Sequence, residues 1–125
     1  MIVGIGVDIV DISRVRRALE RQGERFIQRI YTEGEQDYCR IHRDPAPCFA
    51  ARFAAKEALF KALRTGWTQG VTWLDVEVRR DERGAPSLIL SGRAGDLSQE
   101  LGIRVIHISL SHSDEAAIAL VILEN

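Results

Sequence analysis

Asp8 and Glu57 are the two side chains whose setting asks for a chemical explanation. Asp8 stands in a run of β-branched residues and glycine, on the strand face where Gly4 and Gly6 leave no side chains. Glycine inside a strand weakens it and often marks a place where something else comes close. A carboxylate there either hydrogen-bonds backbone amides or serves a site, and alone it decides nothing. Glu57 falls, at about 100° per residue, on one helical face with Phe49, Phe53 and Phe60. A carboxylate among aromatic rings is costly unless paired, protonated or bound to a cation. Lys61, one turn on, offers an i,i+4 ion pair as the purely structural explanation. Two such isolated carboxylates in one chain favour a hard-oxygen site for Mg²⁺, with Mn²⁺ also suitable. Mg²⁺ takes one or two protein carboxylates and fills its octahedron with water and substrate phosphate. Lys61 would then stand beside the metal and act on developing negative charge.

Other charged residues are weaker signals. Arg52 and Lys56 share the helix with Glu57 and could neutralise phosphates, but their spacing reads first as the ordinary charged side of a helix. Ser109, Ser111, His112 and Ser113 cluster at the end of a strand. No partner acid stands at a diagnostic spacing, so a Ser-His hydrolase is disfavoured; His112 is either an exposed turn histidine or a contact to phosphate or ribose. Arg14, Arg17, Arg21 and Arg25 lie opposite an Ile12, Val15, Leu19 stripe. That basic face is either solvated surface or a docking face for an acidic partner. Gly4 and Gly6 do not make a dinucleotide fingerprint, because the third glycine and the following helix are misplaced.

The elements that must position these residues follow from periodicity. Residues 2–10 read as a largely buried strand with Gly4, Gly6, Asp8 and Val10 on one face. Asp11 or Ser13 caps a helix reaching Gln22, and Gly23 ends it. A second helical stretch covers 24–31, and Thr32 with Glu35 forms a capping box for a third. Residues 44–47 read as a loop, and the strongest helix covers 48–63. Beyond Gly70, Leu74, Val76 and Val78 point one way in a strand, with Trp73, Asp75 and Glu77 the other. A turn at 81–84 leads to a strand at 86–90. A helix at 93–101 and strands at 105–110 and 116–123 complete an α+β chain, an antiparallel-rich sheet packed against helices.

Length and composition set the outer limits. The chain of 125 residues is the usual size of a single domain, 1–125. With 46% hydrophobic and 28% charged residues it can bury a core and is not a disordered chain. The net charge of −1 gives no global reason to expect nucleic acid. The apolar start is too short for a secretory leader, and no stretch approaches the length of a membrane span. Cytoplasm is the expected location. Cys39 and Cys48 form no CxxC pair, and the expectation is two reduced, packed thiols.

Taken together, the motifs resemble a known family. Gly4-Ile5-Gly6-Val7-Asp8, the run from Phe53 through Lys56-Glu57 to Lys61, Thr65-Gly66, Gly84-Ala85-Pro86 and the segment from Ser109 to Ser113 are similar, end to end and in order, to the holo-[acyl-carrier-protein] synthases. These are the short 4′-phosphopantetheinyl transferases. The resemblance implies transfer of the 4′-phosphopantetheine arm of coenzyme A to a serine of apo acyl carrier protein, in the service of fatty acid biosynthesis. It implies Asp8 and Glu57 as magnesium ligands, with Lys61 assisting departure of adenosine 3′,5′-bisphosphate. Arg52, His112, Gly66 and Pro86 would lie near the coenzyme, and Arg14, Arg17 and Arg21 would meet the acidic carrier. A homotrimer with sites at subunit interfaces is implied as well. Arg64 stands where a glycine is common in the family, and Arg83 and Ala85 replace its frequent Asn and Lys. On the residues alone, Asp8, Glu57 or a bound water could accept the serine proton. Two other readings share these carboxylates: a metal-dependent nucleotide pyrophosphatase, and a non-catalytic module that binds coenzyme A or a carrier.

Overall fold

The computed structural model describes residues 1–65 and 69–125. The chain runs β1 (Ile2–Asp11), α1 (Ile12–Gln22), α2 (Glu24–Ile30), α3 (Glu33–Arg40), α4 (Ala46–Leu63), a 3₁₀ turn (Trp73–Asp75), β2 (Val76–Arg80), β3 (Pro86–Leu90), α5 (Gly92–Glu100), β4 (Val105–His112) and β5 (Ala116–Glu124). Both sheets are antiparallel: three strands ordered β1-β5-β4, and the hairpin β2-β3. The expected α+β class is what the chain adopts.

The central packing event is α4 lying across one face of the three-stranded sheet. In register, Gly4 pairs with Leu123, Gly6 with Val121, Asp8 with Ala119 and Val10 with Ala117. The small residues in that face let the helix come down to backbone distance. A Cβ placed on Gly6 would lie 1.9 Å from the Ala58 carbonyl oxygen, and one on Gly4 2.2 Å from that of Ala62. What comes close to the glycines of β1 is therefore the helix itself. Alanines at 50, 51, 54, 55, 58 and 62 bury α4 on nearly every side. One buried cluster joins α4 to β2, β3, α5 and β5, and another joins α1, α2 and the first turns of α4.

Several local expectations hold and several are corrected. Gly23, at φ 55°, ends α1, and the capping box of Thr32 and Glu35 forms in full. Asp11 occupies the cap of α1 without a side-chain hydrogen bond. The stretch 44–47 is not all loop: α4 begins at Ala46, with Pro47 in its first turn. Proline costs nothing there, because the missing N–H has no helical partner in any case. The strand period fails at 73–75, where the 3₁₀ turn exposes Leu74 and packs Trp73 onto Phe53 and Phe60. Cys39 and Cys48 are not separate thiols; they are joined by a disulfide that ties the end of α3 to the start of α4.

Arg64 occupies a backbone position that favours glycine. It sits at φ 59° and ψ 30°, the left-handed residue that ends α4, with its N–H donating to Lys61 O and that of Thr65 to Phe60 O. That pair of bonds is the Schellman arrangement, whose left-handed position is usually glycine. An L-residue pays about 1–2 kcal/mol there, offset in part by the chain entropy that glycine loses on folding. Arg64→Gly should therefore stabilise the fold by about 1 kcal/mol, read as a midpoint several degrees higher in thermal unfolding; an unchanged or lower midpoint would contradict the assignment.

Candidate active site

Asp8 is carried to α4 by the same strand face that holds Gly4 and Gly6. The helix presents Glu57 and Lys61 one turn apart, and the three side chains line one cleft of about 500 Å³. Ile9, Val10, Arg14, Val15, Phe26 and Phe53 supply much of the remaining wall. Its size and mixed lining suit a ligand with both charged and apolar parts.

The electrostatics are specific. Lys61 Nζ donates to Asp8 Oδ1 and to Val7 O, both at 3.0 Å. An ammonium has three donors, so one is left for an incoming anion. The Asp8 side chain is 16% exposed and that of Lys61 54%. A pair with one partner so open to water contributes at most about 1 kcal/mol, and is readily exchanged for a cation or a phosphate. Helical spacing alone pairs Lys61 with Glu57; the close ion pair is instead with Asp8. Glu57 is half-buried, and its pKa is raised, first by burial and then by the charge of Asp8, with Lys61 pulling the other way. Two carboxylates that raise one another's cost are a donor set suited to a hard divalent cation.

The remaining expected residues scatter. Arg14 reaches the cleft wall, whereas Arg21 lines a separate notch with Arg25 and Arg29; Arg14, Arg17 and Arg21 are all exposed. Pro86 opens β3, half-buried, and pairs with Arg80. His112 closes β4, exposed, opposite Ala117. Neither Pro86 nor His112 lines the Asp8 cleft. Gly66 lies outside the described residues.

Arg52 and Lys56 overturn the reading of a solvated helix side, being 2% and 0% exposed. Lys56 Nζ spends its donors on Glu35 Oε1 at 2.7 Å, Ile30 O at 2.6 Å and Trp73 O at 3.1 Å. Glu35 completes the network by accepting from Val78 N at 2.8 Å and from Thr32 N at 2.9 Å. This buried pair was not foreseen, although the capping glutamate was. Removing one partner of such a pair costs roughly 3–5 kcal/mol, so it acts as a brace that fixes α4 against α3 and β2.

The chain belongs to the 4′-phosphopantetheinyl transferase superfamily, whose family model matches residues 4–121. Within it the chain belongs with the holo-[acyl-carrier-protein] synthases. It is 47% identical over 125 residues, the whole of both chains, to the holo-[acyl-carrier-protein] synthase of Koribacter versatilis. The crystal structure of the Neisseria meningitidis synthase superposes with a TM-score of 0.92 at 33% identity, covering 100% of both chains. The Bacillus anthracis synthase, in complex with CoA (3′,5′-ADP), superposes with a TM-score of 0.82 at 41% identity, covering 98% of this chain and 96% of that one.

Glu57 should titrate above the ordinary glutamate range in the cation-free protein, followed by carboxyl NMR. Its midpoint should fall in Asp8→Asn, which removes the second cause and frees Lys61. Because its folded pKa exceeds the unfolded one, Glu57 opposes folding most above the folded value. The cation-free protein thus gains stability as pH drops through that value. A midpoint unmoved by Asp8→Asn would refute the coupling.

Proposed function

We propose that this chain carries out the reaction of a holo-[acyl-carrier-protein] synthase at the Asp8–Glu57–Lys61 cleft. It transfers the 4′-phosphopantetheine group of coenzyme A to a serine of apo acyl carrier protein. The products are the holo carrier, for fatty acid biosynthesis, and adenosine 3′,5′-bisphosphate. The observation that carries the reading is the meeting of two carboxylates and a half-exposed ammonium in one cleft, in a chain that matches these synthases throughout.

Each residue then has a task. The serine oxygen forms a bond to the phosphorus that bears the pantetheine arm, the bond from that phosphorus to the bisphosphate oxygen breaks, and the serine proton passes to Asp8, Glu57 or a bound water. Asp8 and Glu57 would hold Mg²⁺, or Mn²⁺, which would supply charge neutralisation at the pyrophosphate. Lys61 places its remaining donor where charge grows on the departing bisphosphate. Arg14 stands at the cleft wall with Arg17 and Arg21 on the same exposed helix, which supports docking of an acidic carrier beside the reacting serine. Arg52 is proposed as a positioning residue rather than a direct coenzyme contact, since its guanidinium is buried. His112, Pro86 and Gly66 remain proposed contacts to the coenzyme.

Incubation with CoA, Mg²⁺ and an apo carrier protein, followed by mass spectrometry, separates the readings. Gain of one phosphopantetheine by the carrier is expected. CoA cleavage without that gain means a pyrophosphatase, and no change in either means a binding module. Glu57→Gln, which keeps shape and removes charge, should lower transfer at least a hundredfold at limiting Mg²⁺. Near-native transfer by this variant would sink the metal assignment.

Residues 1–125 are proposed to act as one domain that assembles as a homotrimer. The outer face of the three-stranded sheet supports self-association: Ile5, Val7 and Ile9 of β1 and Ile118 and Leu120 of β5 are all at least 38% exposed. Single chains rarely leave a contiguous apolar patch of this kind uncovered. No helix among the described residues is long and apolar enough to cross a membrane, which is compatible with the proposed cytoplasmic location. Sedimentation at assay concentration should give three chains per particle, and Val7→Asp should shift it to single chains with loss of transfer. A fully active single chain would contradict this.

A further inference from the structure

Arg52 is a buried cation without a carboxylate. The residue is 2% exposed, and its Nε has no hydrogen-bond partner among the described residues. Its guanidinium stacks over Tyr38, 4.4 Å from the ring centroid, and its Nη1 donates to Cys48 Sγ at 3.1 Å. Glu35 is near enough to bias Arg52 but is itself bound to Lys56 at 2.7 Å. Asp44 faces the start of α4 but is paired with Arg16 at 2.7 Å. Arg80 adds a second positive charge in the neighbourhood. His42 packs against Tyr38, with its Nδ1 near the carbonyls of Tyr38 and Cys39. With Cys48 in a disulfide, this cation donates to a weak neutral acceptor. With Cys48 free, the same donor would face the sulfur of a thiol able to ionise.

Position sharpens the contrast between the two cysteines. Cys48 is half-buried, in the first turn of the 18-residue helix α4, where backbone N–H groups favour negative charge. Cys39, at the end of α3, is 0% exposed. A thiol at a helix start beside an arginine is the setting that lowers a cysteine pKa. A reachable thiolate next to a second, resolving cysteine is the usual arrangement of a redox-sensing pair.

We propose that Cys48 is a peroxide-reactive thiol, with Arg52 stabilising its thiolate and Cys39 as the resolving thiol. In the reduced protein the Cys48 thiolate attacks one oxygen of a peroxide. The O–O bond breaks, giving the Cys48 sulfenic acid and, with one proton, water or an alcohol. The Cys39 sulfur then displaces hydroxide from that sulfenic acid; its proton leaves with the hydroxide as water and the disulfide closes. A dithiol reductant reverses the change by exchange, being oxidised to its own disulfide. Cytosolic disulfides, where they occur, are commonly of this transient kind, so the bond between α3 and α4 is compatible with a reducing compartment.

The test uses the full chain carrying Cys39→Ser, which leaves Cys48 free. Alkylation by iodoacetamide, followed by mass against pH, should show Cys48 titrating at least one unit below the ordinary thiol value of about 8.5. Hydrogen peroxide with dimedone should label Cys48 in that variant. In the dithiothreitol-reduced native sequence, peroxide should instead restore the Cys39–Cys48 bond. Adding Arg52→Met should slow alkylation at neutral pH by about threefold to eightfold, the consequence of a one-unit rise from at or below about 7.5. If that double variant does not fold, the order of alkylation in the reduced native sequence decides, with Cys48 expected to react before Cys39. A Cys48 midpoint at or above the ordinary value, absence of a dimedone adduct, or Cys39 reacting first would each overturn the proposal.

Discussion

The site depends on one close approach, that of the α4 backbone to the backbone of β1. Two carbonyls of α4, from Ala58 and Ala62, occupy the space that side chains at Gly6 and Gly4 would fill. Because the two glycines and Asp8 alternate along one strand face, the contact that draws the helix down also delivers Asp8 to the turn carrying Glu57 and Lys61. A larger residue at either glycine would lift the helix and separate the carboxylates. Opposite Asp8 and Val10, Ala119 and Ala117 of β5 keep the same surface low. The small residues therefore set the geometry of the charged ones.

The lysines of α4 divide the work. Lys56 and Lys61 are five residues apart, which at about 100° per residue places them roughly 140° apart around the helix. One points into the protein and the other toward water. Lys56 is fully desolvated, and burial pulls its pKa down while Glu35 supports the charge. Its carbonyl and carboxylate partners come from three other parts of the chain. So saturated an ammonium has nothing left to offer a ligand. Lys61 is held loosely by one carboxylate and one carbonyl and keeps a donor free. Identical chemistry is thus locked on one side of the helix and left available on the other, the difference lying in hydration and satisfied valence.

This division also marks where the sequence was legible. The glycine alternation, the Asp8 face, the capping box and the order of elements follow from local period and turn chemistry, which a sequence displays directly. The burial of Arg52 and Lys56 does not. An amphipathic reading expects one wet face, but the alanines of α4 allow close packing almost all round, so charged residues there had to be satisfied internally. Glu35 gave a legible signal as a cap, yet a cap uses only part of a carboxylate, and the rest of its bonding is long-range. Leu74 and Trp73 were misread because a 3₁₀ turn breaks the period of two just before the strand begins. The Cys39–Cys48 bond escaped because a separation of nine residues says nothing of two helix ends brought together in space.

The sheet order carries a last consequence for the coenzyme. β5 lies between β1 and β4. His112 is in register with Ala117, which is in register with Val10, two residues from Asp8. His112 and Asp8 are thus separated by two strand spacings, roughly 10 Å, with a further offset along the strands. One phosphate cannot touch both within a single chain. A ligand lying straight across β5 would have to pass over Ala117 and Ala119, which are already buried on that face. The route over β5 is closed by packing. The strand order thus keeps His112 apart from the Asp8 cleft within one chain.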